Sequence, residues 1–166
     1  RQVCVNYHAD ARAADEIVAA IRNEGGQALA VQADVSQAED VERLFDTVDR
    51  EMGTLSVLVN NAGISSPRSR VQDLPLEDLR RIVDINVVGL IHCTQLAVRR
   101  MSTRNGGKGG RIVNLSSGSA YIGNPNDGVH YAVSKGAVNS FTIGLSQEVA
   151  AEGIRVNAVS PGLTNT

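Results

Sequence analysis

The sequence predicts an α/β protein built on a parallel sheet. Short β-branched runs of strand length alternate with amphipathic runs of helix length along the whole chain. Several of the strand runs close on turn-forming residues: Asp34, then Asn60-Asn61, Ser116-Ser117 and Pro161-Gly162. The composition fits a real core, with 42% hydrophobic residues, but aromatics are 3% and Trp is absent, so Ala, Val, Ile and Leu must fill it.

Residues 3–7 read as a strand and residues 8–10 as a turn. Residues 11–23 read as a helix, with Ile17, Val18 and Ile21 as one apolar stripe and Gly25-Gly26 as its stop. Residues 28–33 form the next strand, closed by Asp34. Ser36 and Glu39 make a capping box for a helix carrying Val41, Leu44, Phe45, Val48 and Met52, stopped at Gly53. Residues 55–59 are a strand, and residues 65–70 a polar loop. A single helical pattern spans 75–101, apolar in its second half through Val87, Val88, Leu90 and Ile91. A glycine-rich turn at 105–110 precedes the strand 112–115. A long helix at 129–151 stops at Gly153, and the strand 154–159 is broken by Pro161-Gly162. Alternation of this kind implies βαβ units with right-handed crossovers. No linker, repeat or low-complexity segment divides residues 1–166, which read as one domain.

A net charge of −2 argues against a nucleic-acid footprint. The longest apolar runs have strand length, which predicts no membrane span, and no signal-peptide pattern opens the chain. Cys4 and Cys93 are isolated, lack metal-ligand spacing and read as buried thiols of a cytoplasmic protein. No metal is expected. The chain starts at Arg1 within a strand pattern and stops at Thr166 soon after another, so a partial domain is expected.

The chemistry concentrates between Arg111 and Lys135. The strand run ends in Ser116-Ser117, a polar loop follows, and Tyr131 and Lys135 open a helix four residues apart. On a helix those two share a face. An ammonium beside a phenol favours the phenolate, which suits the phenol to general acid/base work. Hydroxyls at the C-terminal end of a strand lie where open α/β sheets bind ligands. The stretch therefore points to alcohol/carbonyl chemistry, against the plain alternative of a loop and an ordinary helix.

With Asn60-Asn61-Ala62-Gly63, Ser117, Tyr131 and Lys135, and Pro161-Gly162 in this order, the chain resembles the short-chain dehydrogenase/reductase family over its whole length. The resemblance implies a doubly wound Rossmann sheet, three-layer α/β/α, of seven strands in the order 3-2-1-4-5-6-7. Residues 3–7 would be its second strand, and Ala28, Leu55, Ile112 and Ile154 would open the third to sixth. The first strand with its glycine-rich turn, and the segment after Thr166, would be missing. Loss of the first strand would open a gap of about 9–10 Å and remove the helix N-terminus that holds a pyrophosphate.

By the same resemblance Tyr131 is the general acid/base and Lys135 lowers its pKa and binds the nicotinamide ribose. Ser117 polarises the substrate oxygen, with Ser116 and Ser119 as rivals. The family spacing of thirteen residues would fall on Gly118, which implies one inserted residue in the loop 118–130. Asn86 resembles the asparagine that anchors a water in a proton relay; an Asn in an apolar helix is costly unless its amide is satisfied, which a kink with bound water explains, the alternative being an exposed helix position. Asn60, Ala62 and Gly63 are expected beside the adenosine, Gly63 because it lets backbone approach a ligand. Asp34 with Val35 resembles the adenine-contacting pair, or serves as a helix-entry carboxylate. Pro161, Gly162 and Thr166 are expected to face the nicotinamide. Asn6, Tyr7 and His8 replace the acidic residue that selects NAD, and Arg12 follows, so the reading leans to NADP, with Asp10 and the NAD alternative against it.

The implied activity is hydride transfer between a nicotinamide cofactor and a secondary alcohol or ketone. The substrate would resemble those of sugar dehydrogenases or 3-oxoacyl-carrier-protein reductases. A non-catalytic cofactor-binding regulator and an inactive fragment are the alternatives. The apolar residues on several sides of the helices 75–101 and 129–151, Ile143 and Leu145 among them, imply a homo-oligomer, dimer or tetramer.

Overall fold

The computed structural model describes residues 2–65 and 67–162, which form two compact units divided after Leu55. All strand pairing is parallel, within a two-stranded sheet in the first unit and a three-stranded sheet in the second.

In the first unit, β1 (Gln2–Tyr7) pairs with β2 (Gln27–Gln32), Val3 facing Ala28 and Val5 facing Ala30. Between them runs α1 (Ala11–Asn23), capped by Asp10, whose carboxylate accepts the Ala13 N–H at 2.9 Å. Its buried positions are Ala14 and Val18, while Ile17 of the expected stripe is exposed. Arg22 at its end donates to the Ala28 carbonyl at 2.7 Å, tying helix to strand. α2 (Ala38–Met52) buries Val41, Leu44 and Phe45.

The capping box expected of Ser36 and Glu39 does not form. The cap position is Gln37, without a side-chain bond, and Ser36 lies one residue outside the helix, where its hydroxyl donates to Asp34 Oδ1 at 2.7 Å. The Asp34 carboxylate also accepts the Ser36 N–H at 2.9 Å, closing a local turn that holds Ser36 ahead of the helix.

In the second unit β3 (Val57–Asn60), β4 (Gly110–Leu115) and β5 (Ile154–Val159) lie side by side in that order. Ile112, Ile154 and Val156 join Ile82, Ala97, Met101 and Val138 of the helices in the core. The glycine-rich turn is small because it is crowded. A Cβ at Gly107 would fall on the Met101 backbone, and one at Gly109 on the Gly153 carbonyl.

The single helix expected at 75–101 is three pieces: α3 (Leu76–Val83), a π-helical turn (Asp84–Gly89) and α4 (Leu90–Met101). Taken together, Leu76–Met101 is long and apolar enough to cross a membrane, which corrects the view that every apolar run is strand-sized. Ile82, Leu90, Leu96, Ala97 and Met101 are buried within the unit, the pattern of a core helix. The loop before the last helix also holds a short helical turn that the sequence pattern hid, α5 (Ser119–Ile122). α6 (Val129–Glu148) ends three residues before the expected 151, in a tighter turn at Ala150–Glu152. Cys93 is buried and its thiol is pushed up to about 11 by desolvation, whereas Cys4 is only partly buried. Both are free thiols.

Candidate active site

The end of β4 and the first turns of α6 are bound to each other by side chains from both. Lys135 Nζ donates to the Leu115 carbonyl at 2.7 Å, and the Ser116 hydroxyl donates to the Lys135 carbonyl at 3.1 Å. Ser116 is buried in this clamp, which leaves the partly buried Ser117, next along the chain, as the hydroxyl at the strand mouth. Ser117 Oγ accepts the backbone N–H of Ser119 at 3.1 Å. Tyr131 lies one turn before Lys135, whose Nζ is 5.8 Å from the centre of the phenol ring.

Lys135 is 6% exposed, and burial pushes its pKa down. Its ammonium has three donors, and Leu115 takes one. Among the described residues Leu115 is the hydrogen-bond partner of Lys135 Nζ, and a buried cation with donors left over suits a polyhydroxyl or phosphate-bearing ligand.

Asn86 sits in the π-helical turn, 1% exposed, not on an outer face. Its Oδ1 accepts the Ile64 N–H at 2.8 Å and its Nδ2 donates to the Ile64 carbonyl at 2.9 Å. The same nitrogen reaches Ser134 Oγ at 3.1 Å, and Ser134 donates to the Tyr131 carbonyl at 2.7 Å. The π turn thus fastens the loop after β3 to the helix that carries the phenol. Turns of this kind cluster at functional sites.

Gly63 has a reason within the protein for lacking a side chain. A Cβ there would meet Asn86 Oδ1 at 3.2 Å and Lys135 Nζ at 3.4 Å. Asn60, expected beside a ligand, is buried, and its amide donates to Thr94 Oγ1 at 2.8 Å and Asn114 Oδ1 at 2.9 Å. Asn114 in turn donates to Thr142 Oγ1 at 2.9 Å, so α4, β3, β4 and α6 are joined by one buried polar chain. Apolar periodicity gave no sign of Asn114, Thr94, Thr142 or Ser134; the signal available was polar residues at core positions. Ala62 is exposed in the loop after β3.

Pro161 and Gly162 lie beside this strand mouth. The Gly118 N–H donates to the Pro161 carbonyl at 2.8 Å, continuing the β4–β5 ladder, in which the Ser116 N–H binds the Val159 carbonyl at 2.8 Å. Thr166 lies outside the described residues.

In the first unit, the Asn6 amide donates to the Val31 and Ala33 carbonyls at 3.2 and 3.0 Å, so it serves the sheet. Tyr7 ends β1 and is partly buried, and Val35 is partly buried after β2. His8 Nδ1 is 3.7 Å from Asp34 Oδ2. Desolvation would raise the Asp34 pKa, but the two Ser36 bonds and His8 outweigh it and hold it low. Arg12 faces Glu16 at 3.1 Å.

A phenol one helical turn from a buried ammonium, at the C-terminal ends of parallel strands, is the arrangement the structure presents. The chain belongs to the short-chain dehydrogenase family, whose model matches residues 2–166. It is 45% identical over 164 residues, 99% of its length, to the uncharacterized oxidoreductase YgfF of Escherichia coli (strain K12), covering 66% of that protein. It is 39% identical over 164 residues, again 99% of its length, to glucose 1-dehydrogenase 2 of Bacillus subtilis (strain 168), covering 62%. Its structure matches a short-chain dehydrogenase from Burkholderia cenocepacia J2315 in complex with NADP, with a TM-score of 0.89 and 36% identity over 99% of this chain and 64% of that one. The chain thus spans a little under two thirds of each of these relatives.

Proposed function

We propose that the chain carries the catalytic core of an NAD(P)-dependent oxidoreductase that interconverts a secondary alcohol and a ketone. The observation that carries this reading is the buried Lys135 ammonium, one helical turn from Tyr131 and fixed to the strand end that bears Ser117. The bound dinucleotide supplies the hydride in reduction and accepts it in oxidation. In reduction Tyr131 gives its phenolic proton to the carbonyl oxygen, while Ser117 donates a hydrogen bond to that oxygen. The positive Lys135 stabilises the phenolate left behind and offers its free donors to the ribose hydroxyls. Asn86 holds the loop after β3 in place, and the interrupted helix around it is where a relay water is expected.

Ala62 and Gly63 pass beside the adenosine, with Asn60 supporting them from below. Asp34 and Val35 border the adenine, and Pro161 and Gly162 border the nicotinamide. NADP is the preferred cofactor, with NAD the alternative. No carboxylate occupies positions 6–8, and Asp10 is turned to its own helix, accepting from Ala13. One solved relative is bound to NADP and another to NAD+, which supports a nicotinamide dinucleotide with either form open. The substrate is a small carbonyl or alcohol of the sugar-dehydrogenase or 3-oxoacyl type, each supported by a relative 39% identical to the chain, a glucose 1-dehydrogenase and a 3-oxoacyl-[acyl-carrier-protein] reductase. We read residues 1–166 as part of one domain of a cytoplasmic homo-oligomer that binds neither nucleic acid nor membrane.

Tyr131→Phe in the full-length protein tests this. Turnover of NADPH with a panel of ketones and sugars should fall at least about 10²-fold, while NADPH binding followed by fluorescence stays intact. Full turnover in that variant would refute the assignment. A protein that never turned over yet bound NADPH would be a regulator.

A further inference from the structure

We infer that Asn124 is a positioning residue for Ser117, an assignment that rests on the catalytic reading of Ser117 and Tyr131 given above. Asn124 has φ 46°, in the left-handed region that asparagine enters more readily than most residues. From there it makes connections in two directions. Its Nδ2 donates to Ser119 Oγ at 3.0 Å. Its carbonyl accepts the N–H of Gly128 at 3.1 Å and of Asp127 at 3.3 Å. Gly128 is the cap of α6, three residues before Tyr131. Ser119, held from its side chain, donates its own N–H to Ser117 Oγ. One residue therefore ties the hydroxyl at the end of β4 to the first turn of the helix that bears the phenol.

The consequence is directional. A serine hydroxyl has one proton to give and two lone pairs. The Ser119 N–H takes one lone pair, so the Ser117 proton is left to donate away from Ser119, where a substrate oxygen can receive it. The loop has an outer attachment as well: Ser69 N–H binds the Asp127 carbonyl at 3.1 Å, and Arg68 meets the Asp127 carboxylate at 3.0 Å. The Arg68 side chain is 89% exposed, and such an ion pair holds geometry weakly. The inner tether through Asn124 is then the one that sets the angle of Ser117, and displacement of a reacting group by about 1 Å can cost about 10²-fold in rate.

The test uses the full-length enzyme with Asn124→Gly, Ser119→Ala, the double variant and Tyr131→Phe. Asn124→Gly keeps the left-handed backbone and removes the amide; Ser119→Ala keeps the N–H to Ser117 and removes the tether's acceptor. Each single variant should lower kcat about tenfold, the size of one lost hydrogen bond. The double variant should fall no further. NADPH affinity should stay unchanged and Tm should move by less than about 5 °C. Should Asn124→Gly fold poorly, Ser119→Ala alone decides. More than half of the wild-type kcat in Ser119→Ala, or additive losses in the double variant, overturns the inference. Tyr131→Phe at full turnover would instead overturn the catalytic reading beneath it.

Discussion

The side chain of Asn86 grips the backbone of Ile64 from both sides, accepting its N–H at 2.8 Å and donating to its carbonyl at 2.9 Å. A planar amide does this as a neighbouring residue of a strand would, so the loop after β3 gains a sheet-like bond in the middle of a helix. The π-helical turn is what allows it, since the extra residue pushes Asn86 out of the regular ladder.

Asn86→Ala removes both bonds and leaves the Ile64 N–H and carbonyl without these partners. The expected cost is about 2–4 kcal/mol of unfolding free energy, from two polar groups at about 1–2 kcal/mol each. Urea denaturation of the full-length protein measures it. A change below about 0.5 kcal/mol would mean that solvent replaces the amide with no loss.

Gly63→Ala brings a methyl group to 3.2 Å from Asn86 Oδ1 and 3.4 Å from Lys135 Nζ. The distance to Lys135 is ordinary contact, so the strain falls on Asn86, which is held by Ile64 and must give by a few tenths of an ångström, disturbing the loop after β3 and the lysine beside it. Turnover should then fall by about tenfold or more, with a loss of stability of only about 1–2 kcal/mol. Paired kinetic and thermal measurements separate the two effects; a stability loss without a kinetic one would show Gly63 to be purely a packing position.

Acid stability is tied to the turn after β2. Asp40 accepts the Asp34 N–H at 2.9 Å and pairs with Arg43 at 2.6 Å, and these bonds hold its pKa below the ordinary carboxylate value. The Asp34 pKa is also lowered. A carboxylate with a depressed folded pKa contributes stability above its unfolded pKa of about 3.9, and loses it as pH falls through the folded value. Asp40→Asn should therefore destabilise the protein at pH 7 and narrow its gap to wild type below about pH 4. A gap that stays constant between pH 7 and pH 3 would rule out this linkage.

The sequence by itself determined the alternation of strands and helices, since period and turn chemistry are local properties. It also determined the order of the site residues, because Tyr131 and Lys135 share a face on any helix. Tertiary structure alone decided what each polar side chain faces. Ser36 looked like a cap, yet the cap falls one residue later, on Gln37, and Ser36 is held in a turn with Asp34, two residues back. Asn86 within an apolar helix already marked a kink between Leu76 and Met101, but only the fold showed that its amide is satisfied by the backbone pair of Ile64, distant in sequence. Among three serines, spacing could not choose; burial of Ser116 under α6 is what leaves Ser117 at the mouth of the sheet. Apolar burial has a period that a sequence displays, whereas a hydrogen bond depends on direction and on a partner that only the folded chain brings near.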